Sequence, residues 1–181
     1  VEKGAEAIVI TASGCGTMVK EYGHLLQHDP AYADKAARIS ALARDISEVV
    51  AAERAAFAGK FPAVAQAHNV AFHSPCSLQH GLKITGSVEA ILREAGYTLT
   101  AVPDGHLCCG SAGTYSILKP GISKRLLRDK VRALESGYPE TIATANIGCL
   151  AHIESGSDVP VRHWIELVEA RLATAQSGDT G

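Results

Sequence analysis

Five cysteines are the residues of this 181-residue chain whose type and spacing could do chemistry: Cys15, Cys76, Cys108, Cys109 and Cys149. An odd count with two thiols adjacent makes a poor disulfide framework, and clustered cysteines in such a chain more often bind metal or carry redox chemistry. The plain alternative is that each is a small buried hydrophobe. Together, Cys76, Cys108-Cys109 and Cys149 supply four thiolates, which is what a 4Fe-4S cluster takes. Zinc accepts four cysteines as well. Adjacency favours the cluster. Neighbouring side chains on an extended backbone point in opposite directions, so one ion is awkwardly reached by both Cys108 and Cys109, whereas several irons offer separate atoms and Gly110 permits the turn. Structural zinc sites also favour cysteine pairs a few residues apart, a spacing this chain does not have.

Histidines accompany the thiols. His73, His80, His106 and His152 each lie within four residues of a cysteine. His152, in Cys149-Leu150-Ala151-His152, has ligand spacing and is the candidate singled out. Gly14, Gly16, Gly110, Gly113 and Gly148 suit turns at strand ends, and backbone N–H groups there can approach cluster sulfurs. No lysine completes a phosphate loop after Gly110-Ser111-Ala112-Gly113, and no nucleophile elbow supports a serine hydrolase.

The elements that must position these residues alternate between short strands and longer helices. Ala7–Thr11, Val70–His73, Tyr97–Val102, Thr141–Ala145 and Val159–Val161 read as strands. Thr17–Leu26, Ser87–Ala95, Ile122–Ser136, a short stretch after Cys149, and His163–Ala175 read as helices. From Ala31 to Ala58, apolar Ile39, Leu42, Ile46, Val49 and Val50 predict one long amphipathic helix capped at Gly59. Lys124, Arg125, Arg128, Lys130 and Arg132, with Asp129 and Glu135, read as a solvated helix face. The tail Gln176–Gly181 is polar and expected to fray. The pattern predicts an α/β fold, a parallel sheet with helices on both faces. Each cysteine site follows a strand. The carboxyl ends of parallel strands share one edge, so distant cysteines converge there.

Composition narrows the class. Hydrophobic residues make up 46% and charged residues 20%, as in globular chains. Lys and Arg total 17 against 19 acidic residues, a net charge of −2, which argues against a nucleic-acid or anionic-lipid surface. No apolar run reaches a membrane span and no signal peptide precedes the first element. Val1 in place of Met predicts that the chain is trimmed from something longer. Cysteine usage and the missing signal predict the cytoplasm.

A repeat is visible. Ile8-Val9-Ile10-Thr11-Ala12-Ser13-Gly14-Cys15 and Ile142-Ala143-Thr144-Ala145-Asn146-Ile147-Gly148-Cys149 both carry a β run, a Gly-Cys pair and a helix start. Superposing the cysteines puts Ile8 on Ile142 and Gly14 on Gly148. Residues 1–59 then form the end of a first cysteine-rich repeat plus the long connecting helix, and residues 60–181 a complete second one.

The carrying stretches are Thr11–Gly23 (TASGCGTMVKEYG), Phe72–Gly81 (FHSPCSLQHG), Leu107–Tyr115 (LCCGSAGTY), Thr144–Cys149 (TANIGC) and Val161–Ile165 (VRHWI). They resemble the cysteine-rich, or CCG, domain of heterodisulfide reductase and related electron-transfer proteins, and most closely the C-terminal part of the glycolate oxidase iron-sulfur subunit family. The likeness runs through nearly the whole chain. It implies a duplicated, Rossmann-like cysteine-rich region, with two ferredoxin-type cluster motifs upstream. It also implies a flavin-containing partner that oxidises glycolate to glyoxylate, a companion subunit, and peripheral association of the complex at the inner membrane. Cys76, Cys108, Cys109 and Cys149 fall on the CCG motif, and Cys15 on the end of the preceding copy. The full motif ends in Cys-x-x-Cys, whereas this chain has His152 last. A four-cysteine cubane is therefore expected instead of a five-cysteine non-cubane cluster. An isolated, air-exposed fragment is expected to hold zinc or nothing. The alternative function is a structural or docking domain, with zinc or no metal, that binds the flavin subunit without carrying electrons.

Overall fold

A computed structural model describes residues 4–57, 59–63, 66 and 68–177. Ala58 and residues 178–181, the ends of two segments read above, lie outside the described residues. The protein has an α/β fold of short parallel strands flanked by helices. Among the described residues there are six strands: β1 (Ile8–Ile10), β2 (Ala43–Asp45), β3 (His68–His73), β4 (Tyr97–Leu99), β5 (Thr141–Thr144) and β6 (Val161–His163). β4, β3, β5 and β6 form one sheet in that order, and β1 and β2 form a separate pair; every pairing is parallel.

The helices are α1 (Ser13–Leu25), α2 (Ala33–Leu42), α3 (Ile46–Ala52), α4 (Arg54–Phe57), α5 (Ser87–Glu94), α6 (Tyr115–Leu118), α7 (Pro120–Glu135), α8 (Ile147–Glu154) and α9 (Trp164–Ser177), with one wide π turn at Ser77–Gly81. α9 continues through Ser177, past the point where the polar tail was expected to fray. Among the described residues, no helix is long and apolar enough to cross a membrane.

Strand alternation divides the core into two layers. Val70 and Phe72 of β3, with Ala143 of β5, face one side and pack with Val88, Ile91 and Leu92 of α5 and Trp164 and Val168 of α9. Ala71 and Ile142, paired across the two strands, face the other side and meet Leu127, Val131 and Leu134 of α7 and Ile153 of α8. Successive strand residues point to opposite faces, so His73, two residues after Ala71, belongs to the second layer. That layer also contains Cys109 and Cys149.

The long helix expected over Ala31–Ala58 is broken. Ala43–Asp45 forms β2 beside β1, and a new helix starts at Ile46. The apolar spacing runs through the break because Leu42 and Ile46 happen to keep a four-residue interval. The break itself has a local cause. The Asp45 carboxylate accepts from the backbone N–H of Ser47 at 2.9 Å and Glu48 accepts from the Asp45 N–H at 2.8 Å, a capping box that starts α3.

The repeated strand-helix unit has a structural counterpart. β1 leads into α1 and β5 into α8, with Cys15 and Cys149 each the third residue of its helix, and each strand has a parallel neighbour (β2, β6) followed at once by another helix. The two units also touch: Ser13 N–H donates to Ala145 O at 3.2 Å, and the His163 ring meets Thr11 O at 2.8 Å through Nε2.

Glu48 links the capping box to Lys20 of α1 at 2.9 Å. Burial alone would raise its carboxyl pKa, but hydrogen bonds from Lys20 and the Asp45 N–H outweigh it and hold the pKa below the ordinary value. A depressed carboxylate contributes stability above its unfolded pKa and loses it as pH falls through the folded one. Glu48→Gln is therefore expected to cost under ~1 kcal/mol at pH 7, as half-exposed pairs do. The difference from the parent should shrink in urea melts as pH falls below the ordinary carboxylate range and through the lowered folded pKa.

Candidate metal centre

The C-terminal ends of β3, β4 and β5 deliver the four thiols to one edge. β3 ends at His73, and Ser74-Pro75 turns the chain into the π turn, with Cys76 as its N-cap. The loop after β4 carries Cys108 and Cys109, and β5 passes through Asn146 into α8 and Cys149. The thiols form a row: Cys76 contacts Cys108, Cys108 contacts Cys109, and Cys109 contacts Cys149. Exposure falls along it. Cys76 is exposed, Cys108 is intermediate, and Cys109 and Cys149 are buried.

Their acidities differ for stated reasons. Contact with Cys109 and then burial push the Cys108 thiol strongly up. The Cys108 contact lowers that of Cys109, but Cys149 and burial prevail and push it up to about 12. Burial, then Cys108, raise Cys76. Cys149 goes down, because the Cys109 contact, helped by Asn146, outweighs burial. Asn146 Nδ2 donates to Cys149 Sγ at 3.6 Å, and Gly110 N–H donates to Cys108 Sγ at 3.3 Å.

Gly110 can only be glycine. Its φ is +94°, and a Cβ there would lie 2.5 Å from Ser123 O. The close approach is held by Ser123, whose hydroxyl donates to Gly110 O at 2.8 Å. With that proton committed, the Ser123 oxygen accepts from His152 Nε2 at 3.2 Å. His152, the candidate ligand by spacing, is thus placed behind the Cys108-Cys109-Gly110 turn, bonded to Ser123. Cys15 is exposed on α1, outside the buried donor group.

Two side chains join the thiols that spacing did not single out. One ring nitrogen of His73 and the sulfurs of Cys109 and Cys149 lie within 4.8 Å of one another, all three residues buried. Neither ring nitrogen of His73 has a hydrogen-bond partner. Burial, then the Lys130 charge, lower its pKa to about 3, so the ring is neutral at pH 7. Leaving such groups unpaired costs about 1–3 kcal/mol each. Only the strand period, which puts His73 on the Ala71 face, signals this placement.

The other is Lys130, which the sequence assigned to a solvated face and which is 3% exposed. Ser123, Leu127, Lys130 and Leu134 follow the three- and four-residue spacing of the buried stripe of α7, and that is the signal for it. The Lys130 ammonium donates to Asp104 O at 3.0 Å and Gly105 O at 3.3 Å. It has no carboxylate partner among the described residues. The titratable groups that act on it are Cys109 and Cys108, then Asp104 and Cys149. Buried charges are kept where an opposite charge compensates them.

These features fit a metal-thiolate group: four converging thiols, N–H donors aimed at two of the sulfurs, an unpartnered buried imidazole and a buried cation beside three of the thiols. Fold and site together define a cysteine-rich α/β domain. The family model for the cysteine-rich CCG domain matches residues 70–154. The glycolate oxidase iron-sulfur subunit of Escherichia coli (strain K12) is 52% identical over 172 residues, 95% of this chain and 41% of that protein. Lactate utilization protein A of Bacillus velezensis is 31% identical over 92% of this chain and 71% of its own length. Its Bacillus subtilis (strain 168) namesake is 29% identical over similar shares, 92% and 71%. The chain belongs to the family of cysteine-rich CCG proteins that these relatives share. It spans less than half the length of the Escherichia coli relative.

Gly110→Ala forces a left-handed residue against Ser123 O, strain worth about 1–3 kcal/mol. The expected result is a lower urea midpoint and faster labelling of Cys109, 1% exposed in the parent, by a thiol reagent.

Proposed function

We propose that this chain is the cysteine-rich, cluster-bearing part of an electron-transfer subunit in a complex that oxidises a 2-hydroxy acid, with glycolate as the substrate and glyoxylate as the product. The observation that carries the reading is the approach of Cys76, Cys108, Cys109 and Cys149 to one another, with the buried ammonium of Lys130 beside Cys109, Cys108 and Cys149. The names of the relatives, an iron-sulfur subunit of glycolate oxidase and a lactate utilization protein, supply the substrate class.

In this reading the four cysteines hold a 4Fe-4S cluster, which when bound takes up and passes on single electrons. The chain's own work is electrostatic. Asn146 Nδ2 and the Gly110 N–H donate to the sulfurs of Cys149 and Cys108, and Lys130 balances thiolate charge. No general acid, base or nucleophile is required of it. Because the Cys108 and Cys109 thiols hold their protons well above neutral pH, loading the site releases protons.

A flavin-containing subunit supplies the electrons, and a companion subunit completes the complex. Tyr115, Ile117, Leu118 and Ile122, large apolar side chains left exposed just after the Cys108-Cys109 turn, suit a covering partner surface. Residues 1–59 form the end of a first cysteine-rich repeat and residues 60–181 the complete second one. The complex works in the cytoplasm, peripherally at the inner membrane. A second reading has its own observation: the close His73, Cys109 and Cys149 donors suit one tetrahedral ion such as zinc, and the domain would then dock the flavin subunit without relaying electrons.

Metal and acid-labile sulfide analysis of anaerobically purified protein separates the two. The expected result is about four iron and four sulfide that are lost in Cys108→Ser; zinc alone, with the fold intact by circular dichroism, would select the docking reading. Lys130→Met keeps the buried stem and removes the charge. Without a nearby cation the reduced, more negative state is disfavoured, so the midpoint potential measured by redox titration should fall.

A further inference from the structure

His73 closes β3 on the face shared with Cys109 and Cys149, where one of its ring nitrogens lies within 4.8 Å of both sulfurs. It is 1% exposed, and neither nitrogen has a partner. A neutral imidazole has one N–H and one lone pair, and neither can reach solvent here. The polar groups around it are few. Lys130, the nearby cation, spends its bonds on Asp104 O and Gly105 O. Thr144, the strand partner of His73 on β5, has a buried hydroxyl that is itself unpartnered. Two hydrogen-bonding groups side by side that ignore each other are not a self-sufficient polar pair. What remains within reach of a ring nitrogen, inside 4.8 Å, is the pair of Cys109 and Cys149 sulfurs.

We propose that His73 is a direct nitrogen ligand of the metal centre, bound through one ring nitrogen beside the Cys109 and Cys149 thiolates. The inference deepens the function proposed above and rests on it in one respect, that the site holds metal. With the four cysteines this makes five donors, one more than the irons of a cubane, so one iron would carry two protein ligands; the buried donors are Cys109, Cys149 and His73, and the more accessible ones Cys76 and Cys108. Imidazole is neutral where thiolate is an anion, so its ligation raises the reduction potential, as histidine-for-cysteine replacement does in Rieske centres. A hydrogen-bonding or purely packing histidine would leave no metal–nitrogen bond.

The test uses the full-length protein, produced with 15N-histidine, purified anaerobically and reconstituted with iron and sulfide, or loaded with cobalt(II) alone. Pulsed EPR of the reduced iron form or the cobalt form is expected to show a strongly coupled histidine nitrogen. The signal should vanish in His73→Cys while the metal stays bound, and the midpoint potential of the iron form should drop. If His73→Cys does not fold, His152→Ala and His106→Ala decide, because the coupling must survive both. Bound metal without a strongly coupled histidine nitrogen, or a coupling lost with His152 or His106, overturns the ligand assignment and leaves the proposed function standing. No uptake of either metal overturns both.

Discussion

The parallel register of β3 with β5 is the constraint on which the rest of the structure depends. It pairs Ala71 with Ile142 and His73 with Thr144, so both strands stop at the same level. Two chain segments some seventy residues apart then turn off one edge together, one toward Cys76 and the other toward Cys149. A slip of one residue would send His73 into the α5–α9 layer and move Ala71 out of the layer that contains Cys109 and Cys149. The sulfur row is therefore a by-product of sheet pairing, set by Val70, Ala71, Phe72, Ile142 and Ala143, which are all buried.

Above that edge, burial and charge pull in opposite directions. The second core layer is apolar around Leu127, Val131, Leu134 and Ile153, yet it encloses a neutral imidazole, an ammonium and two thiols. In a purely structural core such groups would have been replaced by aliphatic ones or paired with each other. Instead His73, Cys109 and Cys149 bring their donor atoms within 4.8 Å of one another, and the surrounding hydrogen bonds act one step removed: His152 holds Ser123, Ser123 holds Gly110 O, and the Gly110 N–H reaches Cys108. Such outer contacts orient ligands and tune a metal group.

Much of this was legible in the sequence. Alternating short strands and amphipathic helices are enough to predict a parallel α/β sheet, and the placement of cysteines after strands is enough to bring Cys76, Cys108, Cys109 and Cys149 to one edge. What escaped did so for identifiable reasons. β2 is only three residues long and sits where helical spacing continues by coincidence, so periodicity hid it while the Asp45–Glu48 capping box announced it. Lys130 was read by its charge instead of its position on the α7 stripe. His73 was passed over for His152 because nearness along the chain is a poor guide to nearness across a sheet: His152 shares a helix with Cys149 yet turns toward Ser123, whereas His73 reaches Cys149 from a neighbouring strand.

The π turn that begins after Cys76 is held less by its own sheet than by α1. Ser13 and Ser77 hydroxyls lie 2.7 Å apart, and a Cβ on Gly81 would come within 2.6 Å of the Thr17 hydroxyl. α1 also reaches the buried end, since the Gly14 N–H donates to Asn146 Oδ1 at 3.3 Å and Asn146 Nδ2 donates to Cys149 Sγ. The outermost sulfur, Cys76, is therefore steered from α1. The exposed end of the thiol cluster is thus built jointly by two segments that lie 64 residues apart along the chain.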